Sequence, residues 1–240
     1  MVAGAAIGHR GPRPRTLSAT RPDRRATPMR QTLPPEAFAK ADEADDAAFY
    51  RPERMVAHID NAAIAALSQH YAARIAPGAD VLDLMSSWVS HLPEDLPLGR
   101  VSGHGMNAAE LAANPRLDDW WVQDLNRDPV LPLPSASQDA VLVCVGVQYL
   151  QRPIEVFAEV ARVLRPGGRV MVSYSNRCFP TKAVAAWLAS DMAGRAALVR
   201  DYLAAAGLAE VGAAVLADGR AGDPLVMVEG RAGPGSRPAP

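Results

Sequence analysis

Asp83 closes a short apolar run, and the residues after it (Met85, Ser86, Ser87, Ser90 and His91) carry soft or polar side chains. The whole run, VLDLMSSWVSH from 81 to 91, reads as a buried strand ending in an acid, then a tight turn into a helix. Turns of this kind hold nucleotide-like ligands in doubly wound α/β proteins. The hydroxyls of Ser86 and Ser87 and the dipole of a helix start suit a carboxylate group. His91 is either a proton acceptor or a helix-surface histidine. A second polar run, YSNRCF from 174 to 179, follows another strand. Ligands of open α/β sheets lie beyond the carboxyl ends of the strands. Asn176 and Arg177 are therefore substrate-contact candidates, with Arg177 suited to clamp a carboxylate or phosphate. Cys178 has no activating neighbour in sequence that would make it a nucleophile.

The elements that must position these residues alternate in type. Apolar residues near helical spacing (Met55, Ile59, Ala63, Leu67, Tyr71) predict one or two helices between Pro52 and Ile75, stopped by Pro77-Gly78. Strands are expected over 79–85, 100–106 and 120–125. A short helix over 107–113 has Asn107 as N-cap and Glu110 completing a capping box. The apolar stretch 139–147 reads as a strand covered on both faces. A helix over 154–164, a strand over 169–175 and helices over 183–189 and 195–206 follow. A terminal hairpin joins 210–216 to 225–229. The adjacent Trp120 and Trp121 must face opposite sides of their strand. The fold class is α/β: a doubly wound, mostly parallel seven-stranded sheet ending in an antiparallel hairpin.

The chain has 240 residues, 49% of them hydrophobic, enough for one sizeable core with tails. The domains expected are a disordered extension over 1–35, an N-terminal helical cap over 36–78, the core over 79–230 and a disordered tail over 231–240. The extension carries Arg10, Arg13, Arg15, Arg21, Arg24, Arg25 and Arg30 against one acid, Asp23. A net charge of -1 and the absence of a basic stripe in the folded region disfavour nucleic acid. No apolar run is long enough to span a bilayer. The two cysteines, Cys144 and Cys178, have neither metal-ligand spacing nor a disulfide framework, so no metal is expected and a cytoplasmic location is. Spacing says nothing about oligomeric state.

The order of these pieces resembles the class I S-adenosylmethionine-dependent methyltransferases, specifically the type 11 group. The resemblance rests on the strand ending in Asp83, on VQDLN (122–126), on LPLPSASQDA (131–140) with its apolar strand, and on EVARVLRPGGRVMV (159–172). It implies S-adenosyl-L-methionine as cofactor and a small-molecule methyl acceptor. It places Asp83, Met85, Ser86 and Ser87 around the methionine part of the cofactor, and Asp124 with Leu125 at the adenine. Val145 stands where that cofactor meets the substrate, and Gln148 and Tyr149 lie beside the acceptor. The segment FYRPER (49–54), with Tyr50, Arg51 and Arg54, and His58 beyond it, resembles the lid of related enzymes, aromatic and cationic residues suiting a sulfonium cofactor with a carboxylate; otherwise it is a solvated helix start with an aromatic tucked on the core.

This chain departs from the family in two places. Met85, Ser87 and Val89 stand where the family loop is glycine-rich. Gly105 stands where the second strand normally ends in a ribose-binding acid, leaving Asn107 as the substitute acceptor. The function implied is methyl transfer, EC class 2.1.1, with no catalytic residue singled out; Tyr149, His58 and His91 are the available bases. The alternatives are a binding or scaffold protein that has lost cofactor binding, and a nicotinamide-dependent oxidoreductase, which lacks its GxGxxG turn here.

Overall fold

The computed structural model describes residues 33–233 and a two-residue strand, Arg13–Pro14. The rest of the expected N-terminal extension and all but the first residues of the expected tail lie outside the described residues.

Seven strands build the core: β1 (Val81–Asp83), β2 (Val101–Gly105), β3 (Asp119–Val122), β4 (Gln138–Cys144), β5 (Leu164–Tyr174), β6 (Ala209–Ala217) and β7 (Leu225–Arg231). Their spatial order is β3-β2-β1-β4-β5-β7-β6, and Arg13–Pro14 adds an edge strand beside β3. The pairings among β1 to β5 are parallel, while β7 runs antiparallel to both β5 and β6. The sheet is thus mostly parallel with antiparallel C-terminal strands, as expected. The order reverses between β1 and β4, which opens a crevice at their carboxyl ends.

Alternation along each strand explains why both faces are covered. In β4, Val141 and Val143 enter one core cluster, and Ala140 and Leu142 enter the other. Trp121 and Trp120 divide the same way, so both tryptophans are packing residues. One cluster is closed by α4 (Pro153–Val163), α5 (Ala185–Leu188) and α6 (Met192–Ala205), through Phe157, Val160, Trp187, Val199 and Leu203. The other is closed by α2 (Asn61–Arg74) and α3 (Ala108–Ala113), through Ala63, Leu67, Tyr71 and Leu111. The RVLRPGG element joins α4 to β5. Gly167 turns the chain at φ 79°, a conformation that favours glycine. Arg165 bonds Asp139 at 2.6 Å and Asp80 at 2.8 Å, tying the turn to the base of the sheet.

Three expectations are corrected. First, no helix follows Asp83: residues 84–100 are irregular. Met85 (φ 61°) and His91 (φ 53°) leave the right-handed region, and Pro93 and Pro97 withhold donors and push their predecessors toward extended backbone. Second, the expected helix from Pro52 begins only at Asn61, where the Asp60 carboxylate caps the Ala63 N–H at 2.9 Å. A shorter helix, α1 (Asp46–Tyr50), lies upstream. Third, Asn107 does cap α3, but Glu110 does not reach back to it. Its oxygens accept from the Arg54 N–H at 2.8 Å and the Ser87 hydroxyl at 2.7 Å. Among the described residues, no helix is long and apolar enough to cross a membrane.

Candidate active site

The floor of the crevice is Asp83, only 2% exposed at the end of β1. Burial pushes its carboxyl up to about 6, against the opposing pull of the Ser86 and Ser90 hydroxyls; Ser86 Oγ donates to it at 2.6 Å. The chain after Asp83 is held by β2. The Met85 N–H donates to His104 Nδ1 at 3.2 Å and the Ser86 N–H to the His104 carbonyl at 2.6 Å. His104 Nε2 lies 2.9 Å from the Gln123 carbonyl oxygen, which can only accept. The proton is therefore on Nε2, leaving Nδ1 free to accept from Met85. Burial holds the imidazole down at about 4, so it is neutral at pH 7.

Asn114, fully buried, completes the clamp. Its Nδ2 donates to the Ser87 carbonyl and to Ser90 Oγ, both at 2.9 Å. These pins replace the missing helix. Neither His104, alone in an otherwise glycine and β-type strand, nor Asn114, at a helix end, has a spacing that marks it in sequence.

Beyond β3, Asp124 forms a tight local turn, accepting the Asn126 N–H at 2.9 Å, and Leu125 is buried beside it. Asn126 joins three segments: its Nδ2 donates to Asp46 (3.2 Å) and the Tyr149 carbonyl (3.0 Å), and its Oδ1 accepts from the Gln151 N–H (2.7 Å). At the end of β4, Val145 takes φ 44°, and the buried Gln148 donates to the Val145 carbonyl at 2.6 Å.

The roof is the N-terminal segment. Lys182, with a fully buried side chain, bonds Asp42 and Asp46, each at 3.1 Å, and Lys40 bonds Asp46 at 2.5 Å. Burial alone would raise the Asp46 carboxyl, but the bonds and charges of Lys40 and Lys182 outweigh it and hold it below the usual range. Further along, Asn107 Nδ2 donates to the carbonyls of Tyr50 (3.0 Å) and Arg51 (3.1 Å), and Trp88 Nε1 donates to the Val56 carbonyl at 3.1 Å. The buried lysines look like ordinary surface residues in the sequence, which carries no signal of this anchoring.

The cofactor and substrate candidates read from the sequence line one cavity of about 570 Å³. Asp83, Met85, Ser86, Ser87 and Asn107 line it from the β1 and β2 side; Asp124 and Leu125 from β3; Val145, Gln148 and Tyr149 from β4. Asn176 and Arg177 line it after β5, and Tyr50 from the roof. Two of them are differently engaged than their types suggested. The Asn107 side-chain oxygen already accepts the Ala109 and Glu110 N–H groups. Arg177 Nε donates to Asp223 at 2.7 Å.

A methyltransferase-domain family model matches residues 102–172 of this chain. The malonyl-[acyl-carrier protein] O-methyltransferase of Hahella chejuensis is 35% identical over 102 residues. Over this stretch the chain is similar to methyltransferase domains. The Hahella match spans 39% of this chain and 36% of the relative's length, so it covers about a third of that protein. Two solved structures share the fold. The [4+2]-cyclase SpnF has a TM-score of 0.54 at 16% identity, over 70% of this chain and 81% of its own. The phosphoethanolamine N-methyltransferase 2 of Haemonchus contortus, solved with S-adenosyl-L-methionine, has 0.52 at 11%, over 72% and 52%. The cofactor to which these likenesses point is S-adenosylmethionine.

Proposed function

We propose that this chain transfers a methyl group from S-adenosylmethionine to a small-molecule acceptor, within EC class 2.1.1. One observation carries the reading: Asp83, Asp124 and the end of β4 meet in a single cavity at the point where the strand order of this sheet reverses.

The residues present fit the cofactor. A cavity of about 570 Å³ is of the size that small ligands occupy. Two lining glycines let neighbouring walls pack closely: a Cβ on Gly105 would stand 2.5 Å from the Ser86 carbonyl oxygen, and one on Gly146 would stand 2.9 Å from Met85 Cβ. Asp83, Ser86 and Ser87 would hold the methionine end, Asp124 and Leu125 the adenine, and Val145 the region where cofactor and acceptor meet. When bound, the cofactor supplies an electrophilic methyl group on a positively charged sulfur.

The chain's own contribution is alignment and exclusion of water. Its candidate bases are poorly matched to neutral pH. Burial draws the His58 imidazole down and His91 down to about 4, and pushes Tyr149 up to about 12. This favours an acceptor whose lone pair is available without loss of a proton. An oxygen acceptor of that kind agrees with the O-methyl transfer in the name of the Hahella relative.

Titration calorimetry with S-adenosylmethionine and S-adenosylhomocysteine tests the reading. Both are expected to bind, and Asp83→Ala and Asp124→Ala each to weaken them by roughly tenfold or more. A folded protein that binds neither at millimolar concentration would leave the scaffold reading instead.

A further inference from the structure

Two arginines reach the cavity, and their surroundings differ. The Arg177 side chain is 65% exposed and its charge is met by Asp223. Arg54 is partly buried, and among the described residues no ion pair includes it. Its guanidinium donates only to two carbonyl oxygens, those of Phe49 at 2.9 Å and Pro52 at 3.2 Å. Of its five N–H donors, these use two.

The guanidinium is held in place from several sides. It lies 4.6 Å from the ring centre of Phe49, 5.4 Å from Phe179 and 5.9 Å from Tyr50. Phe49, Tyr50, Tyr149 and Phe179 form a closed circuit of ring contacts, with centroid separations of 5.0, 6.5, 6.1 and 5.4 Å around it. The Arg54 main chain is fixed independently, its N–H donating to Glu110. Both oxygens of Glu110 are engaged, by that N–H and by the Ser87 hydroxyl. A partly desolvated guanidinium that makes no ion pair among the described residues is costly, and the ring contacts offset part of that cost. A planar fork of donors, held rigid at a cavity wall and short of an anion, matches a carboxylate.

We propose that Arg54 is the carboxylate-binding residue of this cavity. The carboxylate is either that of the cofactor's amino-acid end or that of the acceptor. Only the first source rests on the methyltransferase reading.

The experiment compares wild type with Arg54→Gln by calorimetry, using S-adenosylhomocysteine, 5′-methylthioadenosine (which lacks the amino-acid end), malonate and phenylacetate. Loss of roughly tenfold or more for S-adenosylhomocysteine, with methylthioadenosine unchanged, assigns the cofactor's carboxylate to Arg54. Unchanged S-adenosylhomocysteine with a similar loss for malonate or phenylacetate assigns the acceptor's. Equal losses for S-adenosylhomocysteine and methylthioadenosine, or no change for any ligand, overturn the proposal. If wild type binds neither adenosine ligand, the methyltransferase reading fails and the two free carboxylates alone decide Arg54. If Arg54→Gln does not fold, Arg54→Lys replaces it. Lysine keeps the charge and loses the fork, so a selective, smaller loss for the carboxylate ligands is expected, and an unselective one overturns the idea.

Discussion

Two crossovers of the same parallel sheet are built in opposite ways. Between β4 and β5 the chain makes α4, whose Val156, Phe157, Val160 and Val163 are all fully buried, and a glycine turn pinned by Arg165. Between β1 and β2 it makes no helix at all. Residues 84–100 follow an irregular path held by His104, Asn114 and Glu110. The first crossover is held by apolar area, which is nondirectional and tolerant of detail. The second is held by individual hydrogen bonds to named atoms. Long loops without secondary structure are uncommon in compact domains and are usually functional. Here the loop forms one wall of the cavity. Stability is concentrated in one crossover and ligand geometry in the other, and the two should respond differently to mutation.

The largest effect is expected in α4. Phe157 is fully buried and does not line the cavity, so Phe157→Ala should cost the domain about 3–5 kcal/mol. Denaturant unfolding should show a lower midpoint at unchanged slope, with S-adenosylhomocysteine affinity retained by the folded fraction. A selective loss of affinity would break the division between the crossovers.

Next comes the floor of the loop. The Asp83 carboxyl titrates near 6 when folded, against a reference value of 3.8. Between those values the folded chain keeps a proton that the unfolded chain has released. The contribution of Asp83 to stability is therefore full below about 4, falls as pH rises to about 6, and is flat above. Asp83→Asn removes this dependence. Its stability relative to wild type should rise by on the order of 3 kcal/mol between pH 4 and pH 7. Taking the difference cancels the opposite trends of Asp46 and Asp60, whose folded values are lowered. A pH-independent difference would show that Asp83 is not desolvated.

Asn114→Ala should then invert the Phe157 pattern. It removes the amide that bonds both the Ser87 carbonyl and the Ser90 hydroxyl, leaving them only the Ser86 hydroxyl and the Asp83 carboxyl, at a cost of about 1–3 kcal/mol. Cofactor affinity should fall by a larger factor than the fold does, because the released segment is the cavity wall. Paired calorimetry and unfolding measurements on one preparation check this.

The contrast also explains what could be read from the sequence. The α4–β5 crossover was legible because periodicity and RVLRPGG are local signals, and burial turns them directly into elements. The cavity residues were legible because they sit at strand ends, which topology brings together. The strand–acid–turn pattern after Asp83 predicts a helix because it is a local signal, whereas the path is decided by Pro93 and Pro97 and by the distant pins from His104 and Asn114. His104, Asn114, Lys40 and Lys182 were not legible at all. Each acts through individual polar bonds, and no spacing rule records a bond between residues 104 and 85 or 182 and 46. Asn107 shows the converse: its type was read correctly as a cap, and that role uses the acceptor the resemblance had assigned to a ribose hydroxyl.

The smallest effect concerns how the loop dispenses with glycine. Met85 occupies φ 61°, a conformation that costs a side-chain-bearing residue roughly 1–2 kcal/mol. Its side chain lies against Gly146, where an added Cβ would meet Met85 Cβ at 2.9 Å and Sδ at 3.2 Å. The bulk of one position and the bareness of the other are therefore a single feature. Met85→Gly relieves the strain but frees the unfolded chain, so stability should change by less than about 1 kcal/mol. Gly146→Ala has an ordinary backbone, φ −113° and ψ −28°, so its cost of about 1–3 kcal/mol should come from overpacking alone. In the double variant that space is vacant, and the cost of Gly146→Ala should shrink, a coupling of roughly 1 kcal/mol. Strict additivity would mean that the methionine does not fill the space the family leaves to glycine. The loop would then owe its shape to His104 and Asn114 alone.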